Sequence, residues 1–160
     1  MTEQTTLSAT TTVTVRATPE RAFETFTAGF ASWWPLDSHH IGTQAAVDVV
    51  MEPRAGGRWY ERAADGTECD WGFVTAYEPP SRLVLAWHLN PDWDFDPDPA
   101  RATEVEVTFE PDGEHTVVTL EHRGFEVLGE RGPEMRDAVS SPGGWVDLLT
   151  TYESYVARSH

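Results

Sequence analysis

A chain of 160 residues is the length of one domain, enough to bury about two-thirds of its unfolded surface. Its 11 basic and 27 acidic residues give a net charge of −16, which repels phosphate backbones and anionic headgroups and so disfavours nucleic acid and membrane surfaces as partners. Cys69 is the only cysteine, excluding an intrachain disulfide and a multi-cysteine metal site, and no run approaches the length of a transmembrane helix.

Residues 1–9 read as a disordered lead-in and 10–160 as a single domain. The polar, threonine-rich start, Met1 to Thr11, has no apolar core of the signal-peptide kind, so the expected location is cytoplasmic. From Thr10 to Ala17, Val13, Val15 and Ala17 alternate with threonines, which predicts a half-buried strand. Thr18-Pro19-Glu20 follows as a helix start, with a hydroxyl at the cap, proline at the first helical position and an acid in the first turn. Phe23, Phe26 and Phe30 share one helix face, and Gly29 marks a stop and brief restart that Trp33-Trp34-Pro35 closes. Residues 36–44, with His39-His40, read as a loop, and Ala45 to Met51 as a second strand.

A three-strand meander comes next. Arg58 to Arg62 and the run through Trp71 to Tyr77 are joined across Asp65-Gly66, a strong hairpin signal because both residues tolerate positive φ. Pro79-Pro80 forces the next reversal before Arg82 to Leu89. Trp59, Trp71 and Trp87 each fall on a different strand. Residues 90–100 contain three prolines and read as an irregular acidic loop carrying Trp93 and Phe95. Two alternating strands, Thr103 to Glu110 and His115 to His122, form a hairpin with one wet face. Residues 130–140 read as a short helix or irregular lead-in. Trp145, Leu148, Leu149, Tyr152 and Val156 then recur at helical spacing on a terminal amphipathic helix. Strands joined by tight turns, with helices at both ends, predict an α+β fold in which a curved antiparallel sheet of about seven strands wraps that helix.

This order, with the residues Phe26 to Trp34, Pro53-Arg54-Ala55-Gly56-Gly57-Arg58-Trp59-Tyr60-Glu61, Trp71-Gly72-Phe73-Val74, Glu78-Pro79-Pro80-Ser81-Arg82-Leu83, Leu120-Glu121-His122-Arg123-Gly124 and Gly144-Trp145, resembles the SRPBCC superfamily, the START-like or helix-grip fold. Within it the chain is similar to the branch named after the activator of the heat-shock-protein-ninety ATPase. The resemblance runs from about Thr12 to Val156 and rests on order and spacing, since no single motif is specific. It implies an apolar cavity between sheet and long helix. Relatives across the superfamily bind lipids, sterols, polyketides or other small hydrophobes, and some are cyclases or aromatases. The branch takes its name from a co-chaperone domain.

On that resemblance the expected wall is Phe30, Trp33, Trp34, Trp59, Trp71, Trp87, Trp145, Leu148 and Tyr152, with polar contacts from His39, His122 and Tyr60. A bulge in the Glu68–Tyr77 strand would exchange Trp71 for its neighbours. Three readings stay open: binding of a small hydrophobic or aromatic molecule, a cyclase or hydratase using a cavity histidine or tyrosine, and a co-chaperone-like module presenting Trp93 and Phe95. No catalytic motif is visible, and no cofactor is expected. Gly56-Gly57 lacks the lysine, serine and helix start of a phosphate loop. Asp92, Asp94 and Asp96 fail as a calcium loop, because Pro97 stands where glycine and Thr103 where glutamate is needed. No metal is expected. A homodimer through exposed sheet edges is compatible with the pattern, and the acidic aromatic loop is expected to lie over the cavity entrance as a lid.

Overall fold

The computed structural model describes residues 8–36, 39–42, 44, 46–141 and 144–158. Strand β1 (Ser8–Val15) starts before the predicted Thr10, because Ser8 and Ala9 pair with Arg123 and His122 of the last strand. Residues 1–7 of the expected lead-in lie outside the described residues. Helix α1 (Pro19–Phe26) is capped as its sequence predicts, Thr18 Oγ1 accepting from the Arg21 amide at 3.2 Å. The chain breaks at Thr27, whose hydroxyl donates back to the Phe23 carbonyl at 2.8 Å, and restarts after Gly29 as α2 (Phe30–Trp33).

Strands β2 (Ala46–Met51), β3 (Arg58–Ala63), β4 (Glu68–Glu78), β5 (Arg82–Trp87), β6 (Thr103–Asp112) and β7 (His115–Arg123) follow, then α3 (Gly132–Ser140) and α4 (Trp145–Arg158). All pairings are antiparallel, in the order β1-β7-β6-β5-β4-β3-β2, so the seven-stranded sheet is a continuous meander with the first strand added beside the last. The α4 stripe of Trp145, Leu148, Leu149, Tyr152 and Val156 is buried against its concave face. Tyr152 Oη donates to the Ala22 carbonyl at 2.6 Å, joining α4 to α1, and burial raises its pKa. This is the α+β helix-grip architecture. No helix among the described residues is long and apolar enough to cross a membrane.

Alternation settles which face each side chain takes, except where it is broken. On β6 and β7, Val105, Val107, Phe109, Val118, Leu120 and His122 point inward. Glu104, Glu106 and Glu121 point out and gather round Arg123, with Arg82 bonding Glu106 at 2.6 Å. Between β3 and β4 the register shifts: Trp59 faces Gly72 and Tyr60 faces Asp70, leaving Trp71 as the extra residue of a bulge. The bulge turns Trp71 inward beside Trp59, with ring centroids 5.4 Å apart. Gly72 is required there, because a Cβ would lie 1.8 Å from the Ala86 carbonyl oxygen.

The segment after β5 has more order than its three prolines suggested. Leu89 and Phe95 form a bridge, and Asp98 caps a short helical turn at Pro99–Arg101. Here the backbone reverses, the Asp96 amide donating to the His88 carbonyl at 2.8 Å.

Candidate functional site

A cavity of about 410 Å³ opens between the inner face of the meander, the loop after α2 and the start of α4. Trp71 and Trp87 form its floor, with Leu89 just beyond β5. Trp34, His39, His40 and Ile41 close one side. Trp145 and Leu148 of α4 face them, joined by Gly144 and by Ala138 and Val139 of α3, and Trp93 stands at the rim.

The walls are held by hydrogen bonds from the indole rings. Trp34 Nε1 donates to the His39 carbonyl at 2.9 Å, stiffening the turn that carries both residues. Trp71 Nε1 donates to Glu61 Oε1 at 2.8 Å. Glu61 is 2% exposed, and its two oxygens also accept the backbone amides of Ile41 at 2.6 Å and Gly42 at 3.0 Å. One buried carboxylate thus fixes both the floor and the loop at the mouth. Glu61 closes the Pro53–Glu61 stretch that carries the family resemblance, but that stretch assigns it no part in the cavity. The signal was nonetheless present, since alternation from inward-facing Trp59 puts Glu61 on the same face.

His122 does similar work behind the opposite wall. Trp145 Nε1 donates to its Nδ1 at 3.0 Å, and indole nitrogen is only a donor, so the histidine proton sits on Nε2, 2.8 Å from Thr103 Oγ1. Complete burial pushes the pKa of His122 down to about 3, leaving the ring neutral. Both nitrogens are engaged and the residue does not line the cavity, so the expectation of a ligand contact from His122 is corrected to support of Trp145.

Of the other expected wall residues, Trp34, His39, Trp71, Trp87, Trp145 and Leu148 come together around the cavity. Phe30, Trp33, Trp59 and Tyr152 lie one layer behind, in the core. Phe30 stacks on Trp34 with centroids 4.8 Å apart, and Trp33 donates to the Thr25 carbonyl at 3.1 Å. Tyr60 is corrected to the convex face: its ring lies under the Arg58 guanidinium at 3.9 Å, and its hydroxyl accepts from Arg62 at 3.1 Å. The residue next to an inward tryptophan on an unbroken strand must point outward. Ile41, Leu89, Ala138, Val139 and Gly144 were not anticipated, because no face had been assigned to α3 or to the loop after α2. Among the described residues no group of three or more His, Cys, Asp and Glu side chains could hold a metal ion.

The acidic loop divides its two rings. Trp93, 42% exposed and with φ of 64°, lines the rim and meets Trp87 edge-on at 6.3 Å. Phe95 instead stacks on His88 with centroids 5.4 Å apart, on the other side of the sheet, where His88 Nδ1 donates to the Asp96 carbonyl at 2.8 Å. Both oxygens of Asp92 accept from Arg131 at 3.0 Å, clasping the loop to the chain just before α3, and the guanidinium holds the Asp92 carboxyl below its usual range. Because this pair is exposed, Asp92→Ala is expected to move Tm by no more than about 3 °C. Hydrogen exchange through residues 90–95 should nevertheless accelerate, and unaltered exchange would show that the clasp does not restrain the loop.

The family model for activator of Hsp90 ATPase homolog 1-like proteins matches residues 16–153. The chain belongs to that family. Among solved structures, the anthrahydroquino-gamma-pyrone synthase Txn09 is 35% identical, covering 92% of this chain and 95% of its own, with a TM-score of 0.65. CalC, a self-sacrificing resistance protein from Micromonospora echinospora, is 32% identical over 93% of both chains, with a TM-score of 0.69. The Aha1 dimer from Colwellia psychrerythraea, at 15% identity and a TM-score of 0.61 over 94% of this chain and 96% of its own, is alike in fold alone. No curated protein matches the chain.

Proposed function

We propose that this family member binds a planar aromatic small molecule in the cavity between the meander and α4. The observation that carries the reading is the lining: five tryptophans, Trp34, Trp71, Trp87, Trp93 and Trp145, face one space of about 410 Å³. That volume is within the range of small-molecule sites, which are mostly apolar with few polar groups. Flat rings bury much area at low entropic cost against other flat rings. The 35% identity to a synthase named for a fused anthrahydroquinone and pyrone supports a ligand of that shape. The net charge of −16 disfavours an anionic one.

The test is titration with the tricyclic ketone 9-fluorenone, followed by tryptophan fluorescence, alongside native mass spectrometry of freshly purified protein. Saturable quenching is expected, and Ala138→Trp, which fills the cavity from α3, should weaken it at least about tenfold, as filling a pocket removes most of the buried contact. Unsaturable quenching in the wild type, or full affinity in the filled variant, would refute the site.

A second reading, proton-transfer catalysis on such a ligand, is favoured by His40. Its Nδ1 lies 2.9 Å from the Gly42 carbonyl oxygen, so the neutral ring carries its proton there and keeps the Nε2 lone pair for a base's role. His122 cannot serve, both nitrogens being engaged. Turnover of a bound compound that disappears in His40→Ala, with binding retained, would establish the enzyme.

A further inference from the structure

The side chains around the cavity carry few polar atoms, and those of the tryptophans are already committed. An indole has one N–H and no acceptor. Trp34 gives its N–H to the His39 carbonyl, Trp71 to Glu61 and Trp145 to His122. The Trp87 N–H, like that of Trp59, is shut away by its neighbours and reaches no open space. Apart from Trp93, 42% exposed at the rim, the lining has no indole N–H left for an occupant.

The two histidines of the lining differ. His39 sets its ring edge-on to Trp34, with centroids 5.8 Å apart. His40 has Nδ1 2.9 Å from the Gly42 carbonyl oxygen, which can only accept, so the proton of the neutral ring sits on Nδ1 and Nε2 keeps a bare lone pair. The two nitrogens of an imidazole point in nearly opposite directions, so Nε2 faces away from the loop that Nδ1 grips. It has no hydrogen-bond partner among the described residues, and it is not closed to solvent as the Trp59 and Trp87 nitrogens are. The Gly42 amide is itself held by Glu61 at 3.0 Å, so the ring is braced against the same carboxylate that fixes Trp71.

A fixed lone pair is satisfied only by a donor. Ketone, quinone and ether oxygens would set lone pair against lone pair. A carboxylic acid is ionised at neutral pH, and a chain of net charge −16 repels it. A phenol is neutral there and donates through its O–H.

We propose that His40 Nε2 accepts a hydrogen bond from a phenolic hydroxyl on the ring system bound in the cavity, selecting hydroxylated rings over bare or O-methylated rings of the same shape. This rests on the binding reading above, adds which ligand atom is recognised and requires no turnover. His40 is then a specificity-determining residue: the tryptophan walls hold any flat ring, and the imidazole sorts among them.

The experiment compares 9-fluorenone with its 2-hydroxy, 3-hydroxy, 2-methoxy and 3-methoxy derivatives by fluorescence titration of the wild type and His40→Phe. In the wild type at least one hydroxy derivative should bind about fivefold more tightly than both fluorenone and its own methyl ether, the size expected for one hydrogen bond within reach of water. His40→Phe keeps a ring without an acceptor and should abolish that preference. Should the variant fold poorly, the His40 Nε2 resonance of the wild type gives the same answer, moving upfield with the preferred hydroxyfluorenone and not with fluorenone. Hydroxy derivatives that bind no better than fluorenone, a preference that survives in His40→Phe, or an unmoved Nε2 resonance would each overturn the proposal while leaving an aromatic site in place. Binding of none of the five compounds would overturn the site along with it.

Discussion

Glu61→Gln is expected to lower the stability of the protein by roughly 3 kcal/mol and to loosen the mouth of the cavity. Glu61 receives three N–H donors, from Trp71, Ile41 and Gly42, on its two oxygens. A glutamine has one oxygen and one donor group. If its oxygen stays with Trp71 and Ile41, its NH2 faces the Gly42 amide across a distance of 3.0 Å, donor against donor. Turning the amide over strands the other two donors instead. Neither orientation satisfies the set, and at 2% exposure there is little water to repair it. Urea unfolding measures the loss, and hydrogen exchange at Ile41 and Gly42 locates it. A change below about 1 kcal/mol, the range of a pair in contact with solvent, would show that the carboxylate does not organise the site.

The second large effect is on pH. His122 has a pKa of about 3 in the folded protein because burial penalises its charged form, against an ordinary value near 6.5 when unfolded. The unfolded chain therefore binds the additional proton between those values, and stability, complete above pH ~6.5, falls as the pH drops through that interval toward about 3. The slope is roughly 1 kcal/mol per pH unit. Among the described residues Thr103, Trp87, Phe125 and Trp145 surround the ring, and none of them is charged to offset the burial. His122→Asn retains an acceptor and cannot titrate. The stability difference between wild type and variant should thus change steadily between pH ~6.5 and ~4.5, above the range in which ordinary carboxylates contribute. A difference independent of pH there would rule out the buried neutral imidazole. Protonation would also turn Nδ1 into a donor against the indole of Trp145, so the wall of the cavity should fail in acid before the sheet does.

The fold was legible because its signals are redundant. Val105, Val107 and Phe109 alternate over a whole strand, Leu148, Leu149, Tyr152 and Val156 repeat over a whole helix, and Asp65-Gly66 and Pro79-Pro80 fix the reversals between strands. The site depends on single residues, and redundancy fails there. Trp71 faces inward beside Trp59 only because it is the extra residue of a bulge, between Asp70 and Gly72. Tyr60 faces outward because its own strand carries no extra residue and alternates from Trp59. His122 was placed on the correct face, but periodicity says nothing of whether an inward histidine meets a ligand or a tryptophan. Val139 sits on a helix of nine residues, opening on Gly132 and Pro133, too short to carry the periodic signal that assigns a face.

The tryptophans have one more consequence. Ring centroids run from Trp33 to Trp34 at 5.9 Å, to Trp71 at 5.3 Å, to Trp59 at 5.4 Å and to Trp87 at 5.8 Å, where the path forks to Trp145 at 5.8 Å and Trp93 at 6.3 Å. All seven tryptophans of the chain belong to this one branched array. At such separations an absorbed photon migrates between indoles faster than any of them emits. The protein is therefore a single antenna, in which a molecule resting against Trp87 dims the light absorbed by Trp33 at the far end of the array.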